Sequence, residues 1–103
     1  MSRSSGFIGI ISLDVRLPGS ATLKDRRSAL AKIRHGLQER YGAAVAEVGS
    51  LDTPSHAQLT AALVQQTSQA CDQRVAELER WLLEREVDVT VTQVRTITPE
   101  DLA

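Results

Sequence analysis

The chain has 103 residues, with 12 Lys and Arg against 13 Asp and Glu for a formal net charge of -1; that length holds one domain and excludes a two-domain enzyme. Hydrophobic residues make up 42% and charged residues 24%, the balance of a folded globular domain, which excludes a disordered chain and a membrane-spanning one. The only aromatics are Phe7, Tyr41 and Trp81, Asn is absent and Cys71 is the single cysteine, so an intramolecular disulfide, a cysteine-rich zinc site and several common stacking or amide-dependent sites are excluded too.

Residues 1–6 are small and polar and read as a disordered leader. The apolar run Phe7 to Ile11 is interrupted by Ser12, Asp14 and Arg16, too soon for a signal-peptide core or a membrane span, so the chain reads as cytoplasmic with no membrane partner. Phe7, Gly9, Ile11, Leu13, Val15 and Leu17 fall on alternate positions, which predicts a strand with one buried face, stopped by Pro18-Gly19. Ile8 and Ile10 make the start of its other face apolar as well. Thr22-Leu23-Lys24-Asp25 fits a capping box and predicts a helix start. Ala29, Leu30, Ile33, Leu37 and Tyr41 then recur at helical spacing, with Gly42 placed for a left-handed cap and Gly36 as a weak point inside.

Ala44 to Gly49 reads as a short strand, and Asp52 and Pro54 mark a turn. Ala57, Leu59, Ala61 and Leu63 alternate to give a third strand that fades at Gln65-Gln66. Thr67 and Ser68 can cap a second helix built on Cys71, Val75, Leu78 and Leu82, with Trp81 flanking that stripe. Val87, Val89 and Val91 alternate with polar residues in a last strand, and residues 99–103 read as a frayed tail. Strand, helix, strand, strand, helix, strand over residues 7–98 predicts a single ferredoxin-like βαββαβ sandwich of the α+β class, with two helices on one face of a four-stranded antiparallel sheet.

The chemistry concentrates at the start of the first helix. Lys24, Arg26 and Arg27 stand in its first turn, where the positive end of the macrodipole disfavours cations by about 0.3–1 kcal/mol each. Free amides and arginines at a helix start suit phosphate or carboxylate. At about 100° per residue, Lys24, Arg27, Arg34, His35 and Gln38 share one ridge away from the apolar stripe, with Arg27 and Arg34 two turns apart. The charge is also uneven along the chain: residues 1–51 carry +4 and residues 52–103 carry -5. The first helix is therefore basic and the second acidic. Ion pairs between the two helices would cancel part of the asymmetry.

Lys24, Arg26, Arg27 and Arg34 are accordingly the candidate anion- or RNA-binding residues. Arg16, His35, Glu47 and His56 are secondary candidates: Glu47 sits on a short strand where a cation can hold it, and His56 follows a turn with no Ser, Cys or Asp spaced to define a catalytic partner. Cys71 lies on an apolar stripe and reads as a small core residue. Three classes that use this architecture are disfavoured by residue type. Acylphosphatase-like catalysis needs an Asn, RNA-recognition motifs need exposed aromatics on the central strands, and ferredoxin-like oxygenases need Asn, Trp and Tyr in a cavity. No catalytic residue, metal-ligand set or cofactor is assigned.

Leu17-Pro18-Gly19, Leu23-Lys24-Asp25-Arg26-Arg27, Val45-Ala46-Glu47-Val48-Gly49 and Asp52 resemble the YlxP-like family of small bacterial proteins, a domain-of-unknown-function family (domain of unknown function 503), over roughly residues 7–97. The resemblance implies a ferredoxin-like fold and, because such genes often neighbour those for translation initiation and ribosome maturation, association with RNA or the ribosome. After Asp52 the family tends to Trp and then Arg-Ala, where this chain has Pro54 and His56-Ala57, and a frequent Gly of the third strand is Thr60. The turn between the middle strands is thereby altered, as in a paralogue specialised for a biosynthetic pathway. The expected function is a small non-enzymatic binding protein, associated with RNA or the ribosome through the basic first helix. The alternative is a homodimer joined through the open sheet face (Ile8, Ile10, Ala62, Val64) that serves as a scaffold or small-molecule-binding accessory protein; an enzyme with a cavity under the first helix is the third reading.

Overall fold

Period-2 alternation carries the central strand. In the structure, a computed structural model that describes residues 5–19, 21–49, 52–85 and 88–102, β1 spans Phe7–Arg16 and buries Gly9, Ile11, Leu13 and Val15 on one face. β3 (His56–Gln65) lies antiparallel beside it and buries Ala57, Leu59, Ala61 and Leu63 on the same face, with Leu13 opposite Leu59 and Ile11 opposite Ala61. β2 (Ala44–Gly49) pairs with β3, and β4 (Asp88–Ile97) pairs with β1, all antiparallel in the order β2-β3-β1-β4.

α1 (Leu23–Tyr41) starts where the capping residues predict. The Asp25 amide donates to the Thr22 hydroxyl at 3.1 Å, while the Asp25 carboxylate accepts from the Ala21 amide at 3.3 Å, so the acid's return contact falls one residue outside the usual capping box. α1 ends on Gly42 at φ 62° and ψ 27°, whose amide reaches back to the carbonyls of Leu37 and Gln38; a Cβ would strain this left-handed position. α2 (Ser68–Leu83) is capped by the Thr67 hydroxyl, which accepts from the Ala70 amide at 3.1 Å. Both helices pack on the face of the sheet that carries the odd-numbered residues of β1, and Leu30, Ile33 and Leu37 of α1 meet Cys71, Val75, Leu78 and Leu82 of α2 in one core. The expected ferredoxin-like sandwich is the fold.

The last strand departs from simple alternation. Its register shifts between Ser12 and Leu13: Leu13 faces Val91 and Ser12 faces Gln93, leaving Thr92 as the extra residue of a bulge. The Thr92 hydroxyl donates to the Ser12 carbonyl at 3.1 Å. Val89 and Val91 therefore fall on the same sheet face as Val94, opposite Ile11, instead of with Gln93, and on this edge strand Val94 stays 47% exposed. Val87, which the sequence places in this strand, lies outside the described residues, as do residues 1–4 of the expected leader. The segment expected to fray begins at Pro99. Pro99–Leu102 forms a single 3-10 turn, closed by the Thr98 amide donating to Asp101 Oδ2 at 2.9 Å, and the Ser5 hydroxyl donates to Glu100 Oε1 at 2.7 Å.

Candidate functional site

Three cations were grouped in the first turn of α1 by sequence, with Arg34 further along the helix as a fourth candidate; the structure separates one of the four. Lys24, Arg27 and Arg34 are exposed, and so is His35. Arg26 is 6% exposed and points into the molecule. Its Nη1 lies 3.0 Å from Glu47 Oε2 on β2, and its Nε donates to the His56 carbonyl at 3.3 Å. The inclusion of Arg26 among surface anion ligands is therefore corrected: the guanidinium ties the first turn of α1 to the ends of β2 and β3. The reason lies in helical geometry. With Lys24 at 0°, Arg26 falls at about 200°, beside Leu37 at about 220°, on the apolar stripe itself. Glu47, placed by the sequence on a strand where a cation can hold it, is held by Arg26.

His56 also has a carboxylate near it that the linear spacing did not disclose. Strand pairing sets Arg16 opposite both His56 and Asp88, and sets Asp14 one step along on the same face. His56 Nε2 lies 3.7 Å from Asp14 Oδ1, both side chains about one-third exposed. Asp14, Arg16, His56 and Asp88 thus gather at one end of the open sheet face. Nothing nucleophilic stands among these four residues, so the group is a patch of alternating charge. Cys71 is on the other side of the sheet, fully buried; burial pushes its thiol pKa up, outweighing the lowering by a hydrogen bond with Thr96, and the nearby Asp72 charge adds to the rise. A thiol so held is a poor nucleophile. Among the described residues, no three His, Cys, Asp or Glu side chains come together to hold a metal ion.

Sequence reasoning placed Trp81 beside the core stripe but did not disclose what it builds. The indole crosses from α2 onto Gly36 of α1, where an added Cβ would fall inside the envelope of ring atoms Cη2 and Cζ2. Tyr41 meets it edge-on at 6.4 Å between centroids, and the guanidinium carbons of Arg40 and Arg85 lie 5.6 and 4.6 Å from the ring centre. Beyond this ring, the N-terminal half of α1 and the C-terminal end of α2 enclose an open groove of about 710 Å³. The signal in the sequence is the pairing of a helix-interior glycine with the chain's only tryptophan. A close approach of ring to backbone is what a glycine there permits.

An antiparallel sheet with two helices on one face, a basic ridge on the first helix and no nucleophile-base pair among the described residues defines a small ferredoxin-like domain with a charged outer surface. The family model described as "Protein of unknown function (DUF503)" matches residues 8–96, and the chain belongs to that family, in agreement with the YlxP-like resemblance. No curated protein matches. Among solved structures, the chain is similar to "De novo designed protein Foldit4" at 14% identity and a TM-score of 0.50, covering 89% of this chain and 96% of that one. It is also similar to "De novo designed protein Ferredog-Diesel" at 14% identity and a TM-score of 0.44, covering 90% of each chain. The first likeness supports the fold alone. No helix among the described residues is long and apolar enough to cross a membrane.

Proposed function

We propose that the protein is a non-enzymatic, cytoplasmic binding module that holds phosphates of a structured RNA, such as ribosomal RNA, against the exposed side of α1. The observation that carries this reading is the exposure of Lys24 and Arg27 in the first turn of α1, where the helix macrodipole disfavours both. Arg34 continues the same ridge about 10 Å along the axis. Low aromatic content makes such contacts ones of phosphate and shape, because no exposed ring is available for base stacking on the central strands. Three phosphate contacts on a duplex stem give a slope of about -2.7 in log K against log salt.

Fluorescence anisotropy with a labelled RNA hairpin, read across a salt series, tests this. Arg27→Ala and Arg34→Ala are each expected to weaken binding at every sequence and to lower the slope by about one. Absence of binding at low salt, or binding indifferent to both substitutions, overturns the reading.

A second reading rests on a different surface. The sheet face without helices presents Ile8 opposite Val64 and Ile10 opposite Ala62, and Val64 is 67% exposed. A homodimer through this face would leave the α1 ridge, which lies on the opposite layer, available, and would serve as a scaffold or accessory protein.

A further inference from the structure

We propose that the groove between the N-terminal half of α1 and the C-terminal end of α2 binds a small aromatic carboxylate. Its volume of about 710 Å³ falls in the range of small-molecule sites, and its lining includes Leu17, Pro18, Ala29 and Ile33 together with the Trp81 indole. These side chains give the groove one apolar wall, which suits a planar ring, and Ser28 and the charged residues supply the rest of its lining. The independent sign of a ligand is the Trp81 Nε1–H, which is buried and has no hydrogen-bond partner among the described residues. Buried donors are paired in nearly all native structures, so an orphan of this kind asks for an acceptor.

The donors on the rim point to a carboxylate as that acceptor. Lys32 and Arg85 line the groove along with Asp25 and Glu84, but the acids are differently placed. Asp25 already accepts from the Ala21 amide at the helix cap. Glu84 is 67% exposed at its side chain and reaches Arg85 only at 3.9 Å. The indole N–H, the Lys32 ammonium and the Arg85 guanidinium are all donors, and a carboxylate answers all three. The guanidinium carbon of Arg85 lies 4.6 Å from the indole centroid, with its side chain 38% exposed. The N–H is closed off from solvent, so contact between it and a ligand in the groove requires the Arg85 side chain to leave the ring. On the helical wheel the groove residues of α1 centre near 100°, whereas Lys24, Arg27 and Arg34 lie between about 280° and 360°. The groove is thus separate from the RNA-binding ridge, and either proposal can fail without the other.

Trp81 is the only indole in the chain, so one ¹⁵N–¹H indole resonance reports on the site. Titration of the labelled full chain with benzoate is expected to give a saturable downfield shift of that resonance, with a dissociation constant of roughly millimolar order for so small a ligand. Benzamide, which keeps ring and carbonyl but not the charge, is expected to bind about tenfold more weakly, as is benzoate to Arg85→Gln. Trp81→Phe keeps a ring and removes the donor; followed through the Ala29 and Ile33 amide signals, it is expected to weaken benzoate severalfold while the rest of the spectrum stays folded. A shift that stays linear to about 20 mM, equal affinity for benzamide, or benzoate binding that both substitutions leave unchanged overturns the proposal.

Discussion

Arg26 and Glu47 form a contact of a different kind from the surface ion pairs of α2. Arg26 is 7% exposed and Glu47 20% exposed at their side chains, at 3.0 Å, whereas Arg74 and Glu77 sit one turn apart with about one-third exposure each. Exposed pairs contribute about 0–1 kcal/mol; removing one partner of a buried pair costs about 3–5 kcal/mol because the other charge stays buried. Since Arg26 keeps its bond to the His56 carbonyl, Glu47→Ala is expected to cost about 3 kcal/mol in urea unfolding, a large share of the roughly 5–15 kcal/mol of a domain this size. The double substitution Arg26→Met with Glu47→Leu should recover much of that loss, and a Glu47→Ala cost below about 1 kcal/mol would show the pair to be unimportant. The position of Arg26 on the apolar stripe was legible in the 100° arithmetic, yet a guanidinium reads as surface until its acid is known. Glu47 is 21 residues away, and only the antiparallel pairing of β2 with β3 brings it under α1. The Trp81 groove was hidden for a like reason, because Gly36 and Trp81 are on separate helices and no local period links them.

At the scale of the element, α1 combines a strong start with unfavourable charges. Thr22 caps it and Asp25 suits the dipole, while Lys24 and Arg27 oppose it. Under the proposed RNA-binding role, stability and binding therefore pull in opposite directions at position 24. Lys24→Glu is expected to raise the unfolding free energy by about 0.5 kcal/mol at low salt while weakening association with an RNA hairpin; thermal unfolding and anisotropy on the same variant check both signs. A gain in stability with unchanged binding would mean that Lys24 is not part of the RNA surface. The boundaries of α1, β2 and β3 and the start of α2 were legible because caps, Gly42 and alternation agree there. β4 was legible only at its start. The three-residue step from Val91 to Val94 breaks the period of two, and the bulge at Thr92 returns Val94 to the sheet face of Val91, opposite Ile11; a shift of parity in the sequence is what a bulge looks like before the partner strand is known.

For the whole molecule, the net charge of -1 is an average over halves of +4 and -5, and the fold keeps the asymmetry. No ion pair joins α1 to α2 among the described residues; the polar contacts between them are Arg74 donating to the Arg40 carbonyl at 2.9 Å and the Tyr41 hydroxyl donating to the Glu77 carbonyl at 3.2 Å. The helix layer thus presents the basic ridge of α1 beside an α2 of mixed charge, a surface for charged partners outside the Trp81 groove. The opposite layer differs, with Ile8, Ile10, Ala62 and Val64 clustered at one end and Asp14, Arg16, His56 and Asp88 at the other. If copies associate, the apolar end of this layer is where burial is gained, and the charged end fixes the register. Sedimentation equilibrium is expected to show a dimer at micromolar concentration for the native chain and a monomer for Val64→Lys, whose RNA affinity per chain stays unchanged because α1 lies on the other layer. A native chain that remains monomeric across the concentration range removes the dimer, and a Val64→Lys chain that loses RNA binding together with dimerisation would show that the ridge acts only in pairs.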